Sequence, residues 1–297
     1  MSATTKMKNR KRESFGVMDA VLFILLTLFL LCILIPFLNV IAISFTSYKE
    51  YMQSTWVIWP KEPTLAAYQE LLNDGRILIG YKTTITYVLI GVPINLVMCT
   101  TLAYALFRKG WPGRKLVLTL VMFTMIFNGG IVPMYLVMKS LGLTNTIWAV
   151  ILAQGMNTFN MILIYNYFNS LPEALVESAN LDGASEWTIL VRIVLPLSKP
   201  ILATVVLFVM VQLWNEYFMS MIFLRSKEWQ SLQQVLRSIV MDSQVVDTAA
   251  QLADIGDRNF TDGIKMAAVM VTMVPIMCVY PFLQKYFTKG IMIGAVK

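Results

Sequence analysis

The chain has 297 residues, of which 57% are hydrophobic and only 14% are charged. A soluble globular protein carries about 25% charged residues, so the composition excludes an ordinary soluble protein and predicts an integral membrane protein. We attribute the net charge of +7 to membrane topology and lipid contact rather than to nucleic-acid binding. The sequence contains no histidine, which excludes histidine metal sites and Ser-His-Asp triads. Its three cysteines lack any metal-ligand spacing.

Six apolar stretches are long enough to cross a hydrocarbon core of ~30 Å at a rise of ~1.5 Å per residue. The fold prediction is therefore an all-α integral membrane protein with six transmembrane helices. The predicted spans are 17–45, 83–107, 115–139, 146–168, 200–224 and 264–287. The predicted organisation begins with a cytoplasmic basic tail (1–16) and a first span plus outer loop (17–80). A five-span core (81–287) follows, with a cytoplasmic loop (169–199) inside it, and the chain ends in a cytoplasmic tail (288–297).

The orientation follows from basic residues in the short connections. Five lysines and arginines precede the first span, and four lie in the eight residues 108–115 between the second and third spans. Cytoplasmic connections are enriched in these residues, so the N-terminal tail and the 108–115 turn are predicted to be cytoplasmic. Six spans then place both termini, and the polar segment 170–200, on the cytoplasmic side.

Two longer segments are predicted on the outer side. Residues 46–82 contain Trp56 and Trp59, which suit a loop lying at the membrane interface. Residues 225–263 are acidic, and a helix is predicted there because apolar residues share one helical face: Leu232, Val235, Leu236 and Ile239. Since no calcium-loop pattern is present, we interpret the acidic residues as solvated: Asp242, Asp247, Asp254, Asp257 and Asp262.

The polar segment 170–200 is predicted to form a helix–glycine–helix hairpin. Ser170 and Glu173 have capping-box spacing with a proline between them. Gly183 lies where the first helix must end and the chain must reverse. Ser185 is expected to cap the second helix.

The second helix of this hairpin is predicted to be amphipathic. Its apolar face is expected to consist of Trp187, Leu190, Val191 and Val194, which follow helical spacing. Pro196 is expected to end the helix and to hold Leu195 in extended geometry.

No catalytic constellation is recognisable. The sequence lacks a phosphate-binding glycine loop with Lys-Ser/Thr, a His-Glu-x-x-His motif, and a nucleophile beside a base. Nothing therefore indicates an enzyme, and the chain is expected not to hydrolyse a nucleotide alone. Transport through it would need energy from a gradient or from a partner.

The hairpin resembles a known motif. Glu177-Ser178-Ala179, then Gly183, then Ile193-x-Leu195-Pro196 resembles the EAA loop of permease subunits of bacterial ABC importers, with Ser178 replacing an alanine. The Trp59–Tyr68 outer loop and the Lys289–Lys297 tail are similar to the carbohydrate branch, the maltose-type second permease. The stretches 127–133 and 141–148 resemble permeases for complex and uronate-containing oligosaccharides.

The resemblance implies a division of labour. The loop would dock on a cytoplasmic ATPase, with Glu177 as the acidic contact, Ala179 allowing close packing and Gly183 making the turn. The predicted docking residues are Glu173, Glu177, Ser178, Ala179, Asp182, Gly183 and Ala184. No cofactor would bind this chain, because ATP and Mg²⁺ would be held by the ATPase. The tail 288–297 would lie near the ATPase pair, unless Lys285 and Lys289 serve as lipid anchors.

The implied partners are a second homologous permease forming a heterodimer, two copies of the ATPase subunit, an extracytoplasmic solute-binding protein, the oligosaccharide and membrane lipid. The implied location is the bacterial inner membrane. Nucleic acid is not an expected partner.

Polar residues at membrane depth indicate a solute path. Trp214, Asn215, Glu216 and Tyr217 lie in the outer half of the predicted fifth span, where aromatic rings can stack on sugars and polar groups can bond hydroxyls. Gln154 and Asn157, with Asn160, could line the same cavity from the fourth span. An aromatic belt with a helix-packing glutamate is the alternative interpretation.

Two other functions stay open. The first is an importer of the same architecture for another solute, such as amino acids, phosphate or metal. The second is an ion-coupled carrier or membrane enzyme acting alone, which the missing catalytic residues and the docking hairpin make less favourable.

Overall fold

The computed structural model describes residues 16–54, 56–253 and 260–295, with side chains given except within 243–253 and 282–295. Every regular element in these residues is helical, which confirms the all-α prediction. The basic residues of the N-terminal tail, Asp247, Asp254, Asp257, Lys285 and Lys289 fall outside the part described at side-chain level.

The N-terminal part consists of one long helix and a short helical excursion. The helices are α1 (Val17–Ser44), α2 (Tyr48–Gln53) and α3 (Ala66–Asn73). The predicted outer loop is tied back to the end of α1. Asn39 donates to the Val57 carbonyl at 2.9 Å, and the Ser44 and Tyr68 hydroxyls lie 2.8 Å apart.

A 32-residue helix, α4 (Arg76–Phe107), forms the centre of the bundle. It begins seven residues before the predicted span at 83, because Ile77 and its neighbours pack against a later helix rather than entering solvent. At Gly80 a β-carbon would come within 2.9 Å of the Leu232 backbone. Only glycine permits that close approach of α4 to the helix carrying Leu232.

The middle of the chain contains two broken helices. The segments are α5 (Arg114–Ile126) and α6 (Ile131–Ser140), followed by α7 (Ile147–Ala153) and α8 (Thr158–Asn169). The first pair is bent by 116° and the second by 47°. The predicted third span 115–139 is therefore not one straight helix. Asn128 accepts a bond from the Gly130 amide, and Gly130 has φ +88°, which turns the chain sharply at this point.

The C-terminal half contains the hairpin and the last bundle helices. The hairpin and its continuation comprise α9 (Glu173–Leu181), α10 (Glu186–Ile189), a π turn (Leu190–Val194), α11 (Leu195–Leu197) and α12 (Lys199–Trp214). After them come α13 (Phe218–Phe223), a 3₁₀ turn (Lys227–Trp229), α14 (Leu232–Ala253) and α15 (Thr261–Ala295).

Helix α14 confirms the helix predicted in the acidic segment, since Leu232, Val235 and Ile239 are buried on one face. Helix α15 continues beyond residue 287 through most of the predicted tail.

Three helices of the described chain are long and apolar enough to cross a membrane: α1, α4 and the first 21 residues of α15. The number reaches six if each bent pair is one span, the third pair being Glu186–Leu197 with Lys199–Trp214, bent by 81°. The main core lies where α4, α8 and α12 meet. Tyr87, Phe168 and Val205 are fully buried there.

Candidate functional site

The turn of the hairpin is closed by local hydrogen bonds. Gly183 has φ +74°, its amide donates to the Asn180 carbonyl at 3.1 Å, and the Ala184 amide donates to the Ala179 carbonyl at 3.0 Å. These two bonds form a Schellman motif, which ends α9 with glycine in the left-handed region. The Ser185 hydroxyl accepts from the Thr188 amide at 3.3 Å. The turn at Gly183 and the cap at Ser185 therefore form as the sequence predicts.

The start of α9 differs from the capping-box prediction, which is wrong. Pro172 is the N-cap residue and makes no side-chain capping bond. Ser170 belongs to the end of α8, where its hydroxyl donates to the Tyr167 carbonyl at 2.6 Å. The preceding helix end offers Ser170 a nearer free acceptor than the amides of α9.

The stop predicted at Pro196 is also wrong. Leu195 is helical, with φ −62° and ψ −45°, and its amide donates to the Leu190 carbonyl across the π turn. A proline ring in a regular helix collides with the carbonyl four residues earlier. The wider π turn relieves that collision, so the chain stays helical until Ser198.

The burial of the second helix agrees only in part with its predicted apolar face. Ile189, Leu190 and Val194 lie in the core, whereas Trp187 is 68% exposed and Val191 is exposed. The predicted apolar face is thus half correct. Trp187 precedes the π turn, so its exposure does not arise from the turn.

The outer surface of the hairpin is acidic and apolar. Glu177 is exposed and has no hydrogen bond or ion pair within the described chain, and Leu181 is 89% exposed. The inner side is formed by Val176 and Ala179, which are buried in the main core. Of the predicted docking residues, the exposed ones are Glu173, Glu177, Ser178, Asp182 and Gly183, while Ala179 is buried and Ala184 is half-buried.

The end of α4 holds the hairpin in place. Glu186 accepts a bond from the Tyr104 hydroxyl at 2.6 Å and pairs with Arg108. Lys109 pairs with Glu173 at 2.9 Å. Sequence reasoning interpreted Arg108 and Lys109 only as topology signals and missed Glu186. The sequence did offer a signal for these ion pairs. The hairpin contains several acidic residues, and it was predicted to lie on the same, cytoplasmic side as the basic turn 108–115.

A second group of polar residues surrounds the break between α12 and α13, residues 215–217. Glu216 is only 9% exposed. One of its carboxylate oxygens accepts from the Met219 amide at 2.6 Å and from the Ser220 amide at 3.4 Å, capping α13. The other oxygen accepts from the Gln154 side chain. The buried charge is therefore fully engaged in hydrogen bonds.

Gln154 joins this break to the break between α7 and α8. Its side-chain oxygen accepts from Gln212 at 2.7 Å, and its carbonyl accepts from Asn95 of α4 at 3.1 Å. The structure thus brings Gln154 and Glu216 into direct hydrogen-bond contact. Asn157 instead caps α8 by accepting from the Asn160 amide at 3.2 Å, and Asn160 is buried.

Trp214 faces a different neighbourhood from the other three residues of its motif. Its ring is 9% exposed, and its indole nitrogen donates to the Thr272 carbonyl of α15 at 3.3 Å. The ring also makes an edge contact with Tyr81, at 6.1 Å between centroids. Trp214 therefore packs α12 against α4 and α15.

Asn215 and Tyr217 lie on the open side of the break and meet α14. The Gln233 amide donates to the Asn215 side-chain oxygen at 3.4 Å, and the Arg237 guanidinium carbon lies 4.8 Å from the centroid of the Tyr217 ring. Sequence reasoning missed Gln212, Gln233 and Arg237. The signal for the last two was their spacing of four residues on the polar face of a predicted helix.

The residues that the structure describes contain no group of three or more histidine, cysteine, aspartate or glutamate side chains able to hold a metal ion. The structure therefore offers two features. One is an exposed hairpin whose helices α9 and α10 are both tied to the end of α4. The other is the hydrogen-bonded group around Gln154 and the break at 215–217, called the joint below, which is open on one side.

Two relatives resemble almost the whole chain. Protein LplC of Bacillus subtilis (strain 168) is 41% identical over 267 residues, covering 89% of each chain. The polygalacturonan/rhamnogalacturonan transport system permease protein YtcP of the same organism is 36% identical over 291 residues, covering 98% of this chain and all of the relative.

A solved structure has the same architecture. A crystal structure of a bacterial ABC transporter involved in the import of the acidic polysaccharide alginate contains a chain that superposes with a TM-score of 0.84 at 31% identity. That likeness covers 94% of this chain and 100% of the other. One protein family matches residues 4–293, which is nearly the whole chain. The chain therefore belongs to the family of inner membrane components of binding-protein-dependent transport systems.

Proposed function

We propose that this chain is a permease subunit of an ATP-driven importer of oligosaccharides, and that its natural substrates carry uronate carboxylates. The observation that carries the proposal is the full-length likeness to a polygalacturonan/rhamnogalacturonan permease and to a chain of an alginate importer. Polygalacturonan and alginate share a backbone of uronic acids, so the two likenesses point to one class of solute.

In this proposal the chain crosses the inner membrane six times, with each bent helix pair counted as one span and both termini in the cytoplasm. It forms half of the translocation pathway beside a second, homologous permease. An extracytoplasmic solute-binding protein delivers the oligosaccharide. The basic turn Arg108–Lys115, which contacts the hairpin, supports a cytoplasmic position for both.

The hairpin transmits energy from a cytoplasmic ATPase. Glu177 and Leu181 offer that partner a free carboxylate and an exposed apolar side chain. Because Glu173 and Glu186 are tied to the end of α4, a push on the hairpin moves α4 with it. ATP and Mg²⁺ belong to the ATPase, and this chain is a non-catalytic subunit that alternates between two states through rigid-body motion.

The deciding experiment purifies the complex in mild detergent and measures its composition and ATP hydrolysis in proteoliposomes. We expect a second permease and two ATPase copies, with hydrolysis stimulated by oligogalacturonides in the presence of the binding protein. Stimulation by amino acids or phosphate instead of saccharides would assign the importer to another solute. Ion-driven uptake by the isolated chain would exclude the ABC assignment.

A further inference from the structure

A cation lies beside the open side of the helix break at 215–217. Arg237 is exposed on α14, and none of the ion pairs among the residues described at side-chain level includes it. Its contact is with the face of the Tyr217 ring, 4.8 Å from the centroid. A guanidinium stacked on an aromatic ring keeps its five N–H donors free along its edge. Arg237 is thus placed against Tyr217 while its guanidinium donors have no partner among the side chains that the structure describes.

Neutral groups suited to sugar hydroxyls surround this arginine. Gln233 lies one helical turn before Arg237 on the same face of α14, and its amide bonds Asn215 across the break. Gln212 and Asn215 are both exposed here. Amide side chains offer donors and acceptors to hydroxyl groups, and Tyr217 offers a ring face for the apolar side of a sugar.

The nearest buried carboxylate does not cancel the positive charge of Arg237 on this open side. Glu216 points into the joint, where it accepts bonds from two backbone amides and from Gln154. Among the residues described at side-chain level, the exposed rim of the break therefore carries the positive charge of Arg237 beside the neutral polar groups of Asn215 and Gln233.

We infer that Arg237, stacked on Tyr217 and flanked by Asn215 and Gln233, forms a subsite that binds the carboxylate of a uronate residue in the passing oligosaccharide. This inference rests on the proposed function and adds the group that selects acidic over neutral saccharides. The guanidinium binds the carboxylate by paired, charge-assisted hydrogen bonds, and the two amides bind ring hydroxyls. Arg237 is thus a specificity residue for the permease itself.

The test compares two probes that differ only in charge. The complete importer is reconstituted with its binding protein, and uptake is measured for trigalacturonate and for the same trisaccharide after reduction of its carboxyl groups to alcohols. For Arg237→Gln we expect the KM for trigalacturonate to rise about tenfold or more, as expected for loss of a hydrogen bond to a charged group, with uptake of the reduced sugar unchanged. The KM of Arg237→Lys for trigalacturonate should lie between those of Arg237→Gln and the wild type, because lysine keeps the charge but lacks the planar guanidinium fork.

The matched control is Arg225→Gln, which removes an exposed arginine elsewhere in the predicted outer segment and should leave both KM values unchanged. Equal uptake of trigalacturonate by Arg237→Gln and wild type would overturn the inference and leave the proposed function standing. An equal reduction in the uptake of trigalacturonate and of the reduced trisaccharide would also overturn the inference, because it would assign Arg237 a structural or lipid-contact role. If the wild-type importer does not take up trigalacturonate, and trigalacturonate does not stimulate its ATP hydrolysis, the proposed function and the inference both fail.

Discussion

The hairpin and the joint around residues 215–217 satisfy their polar groups in opposite ways. In the hairpin, the turn bonds join residues three to five apart, and Glu177 has no partner in the described chain. In the joint, Gln154 bonds Gln212 and Glu216, which lie 58 and 62 residues away. The turn of the hairpin is locally determined, Glu173 and Glu186 are also tied to the end of α4, and the outer surface stays open to contact. The joint is assembled from three helices and leaves only its rim open.

This contrast distinguishes a surface suited to contact with a partner from a group of hydrogen bonds that holds helices together. A surface that folds by local rules can keep its shape while a partner binds and leaves. A joint whose hydrogen bonds cross between helices changes only if the helices move together. The comparison predicts that substitutions in the hairpin alter coupling with little loss of stability, whereas substitutions in the joint alter stability first.

Glu177→Lys is expected to have the largest effect on function. Reversing a charge at a desolvated contact costs several kcal/mol, so coupled ATP hydrolysis and uptake should fall by on the order of a hundredfold. The protein should remain in the membrane at its normal amount, because Glu177 is exposed and its side chain makes no bond to the residues that the structure describes. Membrane abundance, ATPase activity and uptake would be measured in parallel.

The control for this charge reversal is Glu228→Lys, at an exposed glutamate in the 3₁₀ turn. It should leave uptake near the wild-type rate. Wild-type uptake by Glu177→Lys would remove the docking role from the hairpin.

Glu216→Ala should have the largest effect on stability. The substitution leaves the Met219 and Ser220 amides without their acceptor and breaks the link to Gln154. Leaving a buried hydrogen-bond donor without an acceptor costs about 1–3 kcal/mol. Thermal unfolding in detergent should therefore show a clear fall in the midpoint.

Glu216→Gln keeps one acceptor for the amides at the start of α13 and should lose less stability. If Glu216→Ala unfolds at the wild-type temperature while losing uptake, the carboxylate acts on the solute and not on the joint.

Gly183→Ala tests the turn of the hairpin. A β-carbon would meet no atom within 4 Å, so its cost is purely conformational, about 1–2 kcal/mol for a residue with a side chain in the left-handed region. We expect partial loss of coupling without loss of membrane abundance. Gly183→Asn should be milder, because asparagine tolerates this conformation; equal losses for the two variants would contradict the conformational explanation.

The smallest effect is expected at the clamp between α3, α4 and α14. Arg76 binds Asp74 and Asp242, each at 2.7 Å, and its hydrogen bond holds the pKa of Asp74 below the ordinary value of 3.8, against the opposing effect of desolvation. A carboxyl with a lowered pKa stabilises the fold above its ordinary pKa and loses that contribution as the pH falls through the lowered value.

Since Arg76 and Asp74 are about one-third exposed, solvent screening limits the contribution to below about 1 kcal/mol. Asp74→Asn should therefore lower the unfolding midpoint slightly at neutral pH, and the difference from wild type should vanish in strong acid. A difference that persists in strong acid would show that packing, not charge, is responsible.

The sequence predicted those features that depend on nearby residues. The turn at Gly183, the cap at Ser185 and the buried face of α14 follow from spacing within one or two helical turns. Membrane character follows from composition, and helical class follows from the length of the apolar stretches. These features require no knowledge of which helices meet.

The errors and omissions arose where distant residues decide. Pro196 ends a regular helix, but a π turn depends on how the following helix packs and leaves no local signal. Trp214 belongs to a motif of four consecutive residues, yet contacts with Tyr81 and Thr272 direct its ring away from Asn215. Arg237 contacts Tyr217 only because α14 returns across the break. Such pairings cannot be derived from periodicity within one segment.

The π turn at Leu190–Val194 also sets an angle. A residue in a regular helix advances the chain by about 100° of rotation, and one extra residue in a wide turn adds a comparable rotation between the segments on either side. The direction of Glu177 relative to α12 therefore depends on the number of residues in this turn, together with the turn at Gly183 and the 81° bend at residue 198. Deleting one residue of the π turn should change that direction while leaving the sequences of α9 and α12 unchanged.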